Sequence, residues 1–133
     1  MGKNKVINPG WPQYENYTFA PAVRRGNMLY ISGQDGIRIN PKTGEVEGKG
    51  DMMKQCRIAY EKIDAILQAA GATWDDVVQL NDYVTTTDGY KGTAEIRRQY
   101  FKNGFPASTG YVVVRLLRRE AMIEIDGIVA LDK

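Results

Sequence analysis

The chain contains no histidine and a single cysteine, Cys56, among its 133 residues. The missing histidine removes Ser-His-Asp and Cys-His nucleophile systems and the commonest transition-metal ligand. One cysteine excludes an internal disulfide and a cysteine-based structural zinc site, and it fits a reducing compartment. No apolar run approaches the roughly 20 residues of a membrane span. The opening MGKNKVINPGWP lacks the apolar core of a secretory signal, so a cytoplasmic protein is expected. A Gly-rich phosphate loop is also missing. The net charge of +2 is too small for the electrostatic footprint of a nucleic-acid or membrane partner. Any chemistry must therefore come from carboxylates, hydroxyls, arginines, backbone groups or bound water.

What remains is ordinary globular material, 43% hydrophobic and 26% charged, of a length that suits one domain with a real core. Residues 1–16 are polar and punctuated by Pro and Gly, and read as an arm with little regular structure. The rest, 17–133, reads as one domain. Tyr17–Val23 is expected to be extended, and Met28–Gln34 reads as a strand after an Arg24–Asn27 turn. A second turn at Asn40–Gly44 precedes a short extended Glu45–Glu47.

The clearest helix is expected from Asp51 to Ala70. Met52, Cys56, Ala59, Ile63, Ile66, Leu67 and Ala70 recur at three- and four-residue spacing, with Asp51 as N-cap and Gly71 beyond the end. Cys56 lies in that stripe and reads as a buried small hydrophobe. Val77–Thr85 reads as a strand with Val78, Leu80, Asp82 and Val84 on one face. Asp82 among apolar neighbours is either a paired buried charge or a rim residue. A second helix is expected over roughly Thr93–Lys102. Arg97 and Arg98 read as its solvated face, with one guanidinium able to reach a pocket.

Phe105–Ala130 has two strand-like runs flanking Arg118-Arg119-Glu120, the pattern of a β-hairpin. In the second run Ile123, Ile125, Gly127 and Val129 share one face, and Met122, Glu124, Asp126 and Ile128 the other. Two carboxylates one pleat apart read either as an open wetted face or as a pocket wall carrying a usable acid or base. The element order implies an α+β fold, a mixed sheet with two helices packed on one face. Its other face is left uncovered, and self-association is the natural remedy.

GNMLYISGQ (26–34), NPKTGEV (40–46), LQAAGA (67–72), WDDVV (74–78), FPAST (105–109) and IEIDGIVA (123–130) occur here in an order that resembles the Rid family, the YjgF-like reactive-intermediate deaminases. The resemblance implies a chorismate-mutase-like homotrimer with a ligand cleft at each subunit interface. It also implies hydrolysis of unstable enamines and imines to 2-oxo acids and ammonia, with no metal or organic cofactor. By the same resemblance Glu124 is the cleft glutamate that orients or deprotonates water, and Ser32 beside Gly33 is the cleft serine. Phe19, with Tyr17 two residues away, falls at the aromatic lid, and Gly110 offers backbone groups; Asp126 joins these as a candidate.

Deaminating members read PAR where this chain reads PAS, so Ser108 stands where their arginine clamps the substrate carboxylate. A serine hydroxyl cannot supply that charge, and Ala94 replaces the family's cleft asparagine. The expectation is a deaminase-like hydrolase acting on a different enamine, imine or related metabolite, with Arg97, Arg98 or Arg115 as candidate substitutes for the lost charge. A non-catalytic trimer that binds a small ligand or a partner protein is the alternative. RNA binding or cleavage, described for some relatives, finds no footprint in this composition.

Overall fold

The computed structural model describes residues 3–131. Ten regular elements follow one another along the chain: β1 (Lys5–Ile7), β2 (Ala22–Arg25), β3 (Met28–Asp35), β4 (Arg38–Ile39), β5 (Val46–Glu47), α1 (Met52–Ala70), β6 (Val77–Val84), α2 (Ala94–Tyr100), β7 (Gly110–Val112) and β8 (Ile123–Ala130). Six strands form one mixed sheet in the order β1-β2-β3-β8-β6-β7, and β4 and β5 form a separate two-stranded ribbon.

The periodic stripe of α1 is the floor of the core. Met52, Cys56, Ala59, Ile63, Ile66 and Leu67 are all buried, and Ile96 of α2 and Phe101 just beyond its end join the same cluster. The sheet contributes Leu29 and Ile31 from β3, Leu80 and Val84 from β6, and Ile123, Ile125 and Val129 from β8. Both helices therefore cover one face of the sheet, as expected for this α+β architecture. The Asp51 carboxylate accepts the Lys54 amide at 3.0 Å and caps the helix start. Gly71, at φ 72°, ends the helix in the left-handed conformation that glycine adopts at least cost. The Cys56 thiol is pushed up to about 12 by burial, which makes it the inert core residue its stripe position implied.

Four expectations need correction. The 1–16 arm contributes β1, paired with β2 through Lys5↔Arg24 to Ile7↔Ala22, and a 3₁₀ turn at Pro12–Asn16. The free edge of β2 supplies the hydrogen-bonding partner that a polar sequence does not advertise. The extended stretch expected at Tyr17–Val23 is regular only from Ala22, after the bends that carry Tyr17 and Phe19. The C-terminal hairpin does not form. Both edges of β8 are occupied, by β3 and β6, so β7 pairs parallel with the open edge of β6. Finally, a register shift between Val77 and Gln79 turns Val77, rather than Val78, into the core with Leu80, Asp82 and Val84.

Asp82 is a paired buried charge. Arg97 Nη2 lies 3.2 Å from its carboxylate, and the Tyr90 hydroxyl donates to it at 2.6 Å. Burial raises its proton affinity, and these donors oppose that rise. Between the expected carriers of a substitute charge, Arg97 is thus committed inside the fold. Arg98 pairs with Glu95 at 3.1 Å on exposed helix surface, and Arg115 donates to the Leu116 and Leu117 carbonyls.

Candidate functional site

The strict alternation of β8 sends Ile123, Ile125, Gly127 and Val129 into the core and leaves Glu124, Asp126 and Ile128 half-buried on the opposite face. Glu124 stands opposite Asp35 of β3 on one side and Tyr83 of β6 on the other. Between Ile31 and Gln34 the register of β3 slips, so that Ser32 and Gly33 together face Asp126. Gly33 comes so near β8 that a Cβ there would fall on the Glu124 carboxylate. Glycine is required at this point by close approach, not by a turn.

The Glu124 carboxyl is shifted above the usual glutamate range. Burial is the largest cause, the negative charges of Asp35 and Asp126 add to it, and Lys62 and Arg118 oppose it. Asp126, one pleat along, differs: Asn81 Nδ2 and the Tyr83 hydroxyl both donate to it, at 3.2 and 2.9 Å. Those donors turn Asp126 toward β6, whereas none of the influences on Glu124 is a hydrogen bond. Of the two carboxylates, Glu124 is the one whose lone pairs accept no hydrogen bond from the described residues.

An aromatic wall rises beside it. Tyr17 and Phe19 stack at 5.3 Å between ring centroids, and Tyr14 meets both edge-on. Phe19 is 54% exposed, so the wall presents an open apolar surface. The Tyr14 hydroxyl accepts from the buried Gln34 side chain at 3.3 Å, which anchors the wall to β3. The Ser32 hydroxyl donates to the Ala20 carbonyl at 2.6 Å, so it can meet a ligand only as an acceptor.

Tyr17, Phe19, Ser32, Gly33 and Glu124 therefore gather at the β2–β3–β8 side of the sheet. Ser108 and Gly110 do not join them within one chain. Both are exposed at the far edge, where Gly110 begins β7 and pairs with Asp82, and β6 stands between them and β8.

Three further residues, Lys62, Arg118 and Gln55, were not singled out from the sequence. Lys62, on α1, donates to Asp35 Oδ1 at 2.9 Å and to the Asp35 and Ile37 carbonyls. Arg118 Nη2 donates to the Tyr17 hydroxyl at 3.0 Å, and its Nε lies 3.7 Å from Asp35 Oδ2. Gln55, fully buried on α1, donates to the Gly48 and Glu120 carbonyls and accepts the Met122 amide. A polar residue within the apolar arc of α1 was the only sequence clue to Gln55.

A concavity of about 710 Å³ lies elsewhere, beside the β4–β5 ribbon. Its Arg38, Glu47 and Lys54 pair with one another at 3.8 and 3.9 Å, which makes it an open groove of satisfied surface charge. Among the described residues no group of three or more acidic or cysteine side chains is placed to hold a metal, and no helix is long and apolar enough to cross a membrane.

Comparison with known proteins places this geometry among relatives. The family model described as endoribonuclease L-PSP matches residues 13–131. A RutC family protein of Pyrococcus horikoshii is 38% identical over 110 residues, covering 83% of this chain and 84% of its own. A 2-iminobutanoate/2-iminopropanoate deaminase of Dermatophagoides farinae is 30% identical over 132 residues, 99% of this chain and 100% of its own. The crystal structure of a Yersinia pestis protein of unknown function, from the conserved Rid protein family, superposes with a TM-score of 0.80 at 32% identity, covering 96% and 99% of the two chains.

Proposed function

The chain belongs to the endoribonuclease L-PSP family, the YjgF-like Rid proteins, and on that premise we propose that it hydrolyses an imine or enamine of a small 2-oxo acid by water attack assisted by Glu124. The observation that carries this reading is the Glu124 carboxyl above the bare backbone of Gly33, half-buried and with its proton affinity raised. A base for water needs a proton affinity nearer neutrality than an exposed carboxylate offers, and desolvation moves Glu124 in that direction. The names of relatives such as the mite deaminase supply the substrate class.

In the proposed reaction a water oxygen attacks the imine carbon while Glu124 takes one of its protons. The C=N π electrons move onto nitrogen, which takes up a proton from bulk water to give a carbinolamine. The protonated Glu124 then gives its proton to that nitrogen as the C–N bond breaks and the carbinolamine hydroxyl gives its proton to water, releasing ammonia, leaving a carbonyl and restoring the Glu124 carboxylate. The Tyr17–Phe19 stack packs against the substrate's apolar end, and Ser32 accepts from a donor on it. No step requires a cofactor.

We place this cleft between copies of the chain in a homotrimer. The uncovered sheet face leaves Tyr30 and Tyr111 each 48% exposed, an apolar surface that a second copy would bury. The Ser108–Gly110 edge would then reach the Glu124 side of a neighbour. Ser108 also favours one second reading, a trimer that binds a small ligand without turning it over, because the arginine of deaminating members is replaced.

The test is an imine assay. Imino acids are generated by an amino-acid oxidase, and surviving imine is trapped with semicarbazide. Accelerated loss of imine with the protein present is expected. Binding of 2-oxo acids with no acceleration would replace hydrolysis by the ligand-binding reading.

A further inference from the structure

A small imino acid carries a carboxylate, and holding it in a partly dry cleft requires a cation or several donors. Ser108 offers only a hydroxyl, and within one chain it lies across β6 from Glu124. Arg97 is bound to Asp82, Arg98 to Glu95 and Arg115 to main-chain carbonyls, so none is available on the Glu124 side. We propose, building on the hydrolytic reading, that Arg118 binds the substrate carboxylate and makes this protein selective for anionic 2-imino acids.

The position of Arg118 carries the assignment. Its guanidinium is tied by one hydrogen bond to the Tyr17 hydroxyl, at 3.0 Å, and so lies at the polar edge of the aromatic wall. Asp35, its only acidic neighbour within 4 Å among the described residues, is 3.7 Å away and already holds Lys62 at 2.9 Å. A guanidinium presents a fork of N–H donors, and most of this fork is left without a partner among the described residues. The side chain is 40% exposed, against 13% for Asp35, so the fork is reachable while its acidic neighbour is not. Lys62 keeps Asp35 occupied, and Arg118 is thereby spared a tight internal ion pair.

The segment that carries Arg118 is fixed. The Arg118 carbonyl accepts the Ala121 amide at 3.1 Å and closes a turn. Immediately beyond it, Gln55 grips the Glu120 carbonyl at 2.9 Å and the Met122 amide at 2.6 Å. Two residues further on comes Glu124 itself. One rigid stretch of chain thus presents both the cation and the carboxyl, with Tyr17 and Phe19 flanking them. Arg118 is near enough to Glu124 to oppose the rise in its proton affinity, so a 2-imino acid whose carboxylate meets Arg118 has its adjacent C2 on the Glu124 side. Cation and base then come from the same copy of the chain, whereas the Ser108 position lies across β6 from both.

The test uses binding, so that it does not depend on turnover. Calorimetric titration of the full chain compares 2-oxobutanoate with the neutral 2-oxobutanamide. The acid is expected to bind the natural protein more tightly. Arg118→Gln should weaken acid binding by about 10²-fold and leave the amide unchanged. Arg118→Lys, which keeps the charge and loses the fork, should weaken it by roughly tenfold. An equal loss of acid and amide in both variants, or no acid preference in the natural protein, overturns the assignment. The imine assay separates this from the hydrolytic reading. Selective acid binding without turnover removes hydrolysis and keeps Arg118, whereas turnover with no acid preference removes Arg118 and keeps hydrolysis.

Discussion

The side-chain oxygen of Gln55 accepts the backbone amide of Met122 at 2.6 Å, joining two residues 67 positions apart across the boundary between helix and sheet. The same side chain donates to Gly48 and Glu120, so one buried amide fixes the approach to β8. Gln55→Met keeps the volume and strands three main-chain groups. It should cost about 3 kcal/mol of stability, read as a lower urea midpoint with an unchanged m-value. The acid preference of the Arg118 site should fall with it.

Glu124→Gln should abolish imine hydrolysis, because the amide can neither accept nor return a proton. The fold should not suffer. In the folded chain Glu124 holds its proton more tightly than in the unfolded one, so its stabilising contribution exists at low pH and is lost as pH rises through the raised value. At neutral pH the Gln variant should therefore melt at or above the temperature of the natural protein. A clear drop in melting temperature there would reassign Glu124 to structure.

The pH profile of kcat/KM should show an acid limb above the ordinary glutamate range, where Glu124 becomes the free base. Part of that elevation comes from the negative charge of Asp126. Asp126→Asn keeps an acceptor for Asn81 and Tyr83 and removes the charge, so the limb should move to lower pH. An unmoved limb would assign it to another group.

Asp82→Asn leaves Arg97 and Tyr90 facing a neutral group in a buried setting. Removing one member of such a pair costs about 3 kcal/mol or more. The loss should appear in chemical denaturation and be absent from the position of the acid limb.

Ser108→Arg should raise activity on simple 2-imino acids only modestly in the natural background, where Arg118 already meets the carboxylate. Combined with Arg118→Gln it should restore much of the lost kcat/KM. On the proposed trimeric arrangement, rescue of this kind also depends on assembly, since Ser108 and Glu124 lie on opposite sides of β6. Measuring both variants above and below the dissociation concentration checks that dependence.

The parts legible in sequence were those written in local periodicity. The stripe of α1, its Asp51 cap and the alternation of β8 all depend on residues a few positions apart, and each is where the spacing predicts. The hairpin failed because strand pairing is decided by which edges remain free, and β8 has none. The faces of β6 were misread at Val77 and Val78 because a single slipped residue inverts a period of two. Arg118 was read as part of a turn, which it is. Its contact with Tyr17 spans 101 positions of sequence, and no local pattern encodes that meeting. The contrast between Glu124 and Asp126 was hidden for the same reason, since the donors that occupy Asp126 come from β6.

The slip in β3 also bears on which changes of length the chain tolerates. On either side of it Ile31 pairs with Gly127 and Gln34 with Ile125, so a β3 shorter by one residue would preserve both pairings and close into an uninterrupted ladder. Hydrogen bonding between the strands therefore gives no reason for the additional residue. Its removal would leave the hydrophobic layers in phase and deprive Glu124 of the bare backbone beneath it. A deletion there is an edit to which the β3–β8 ladder is indifferent and the carboxylate is not, and homologous chains can be sorted by whether they keep that surplus position.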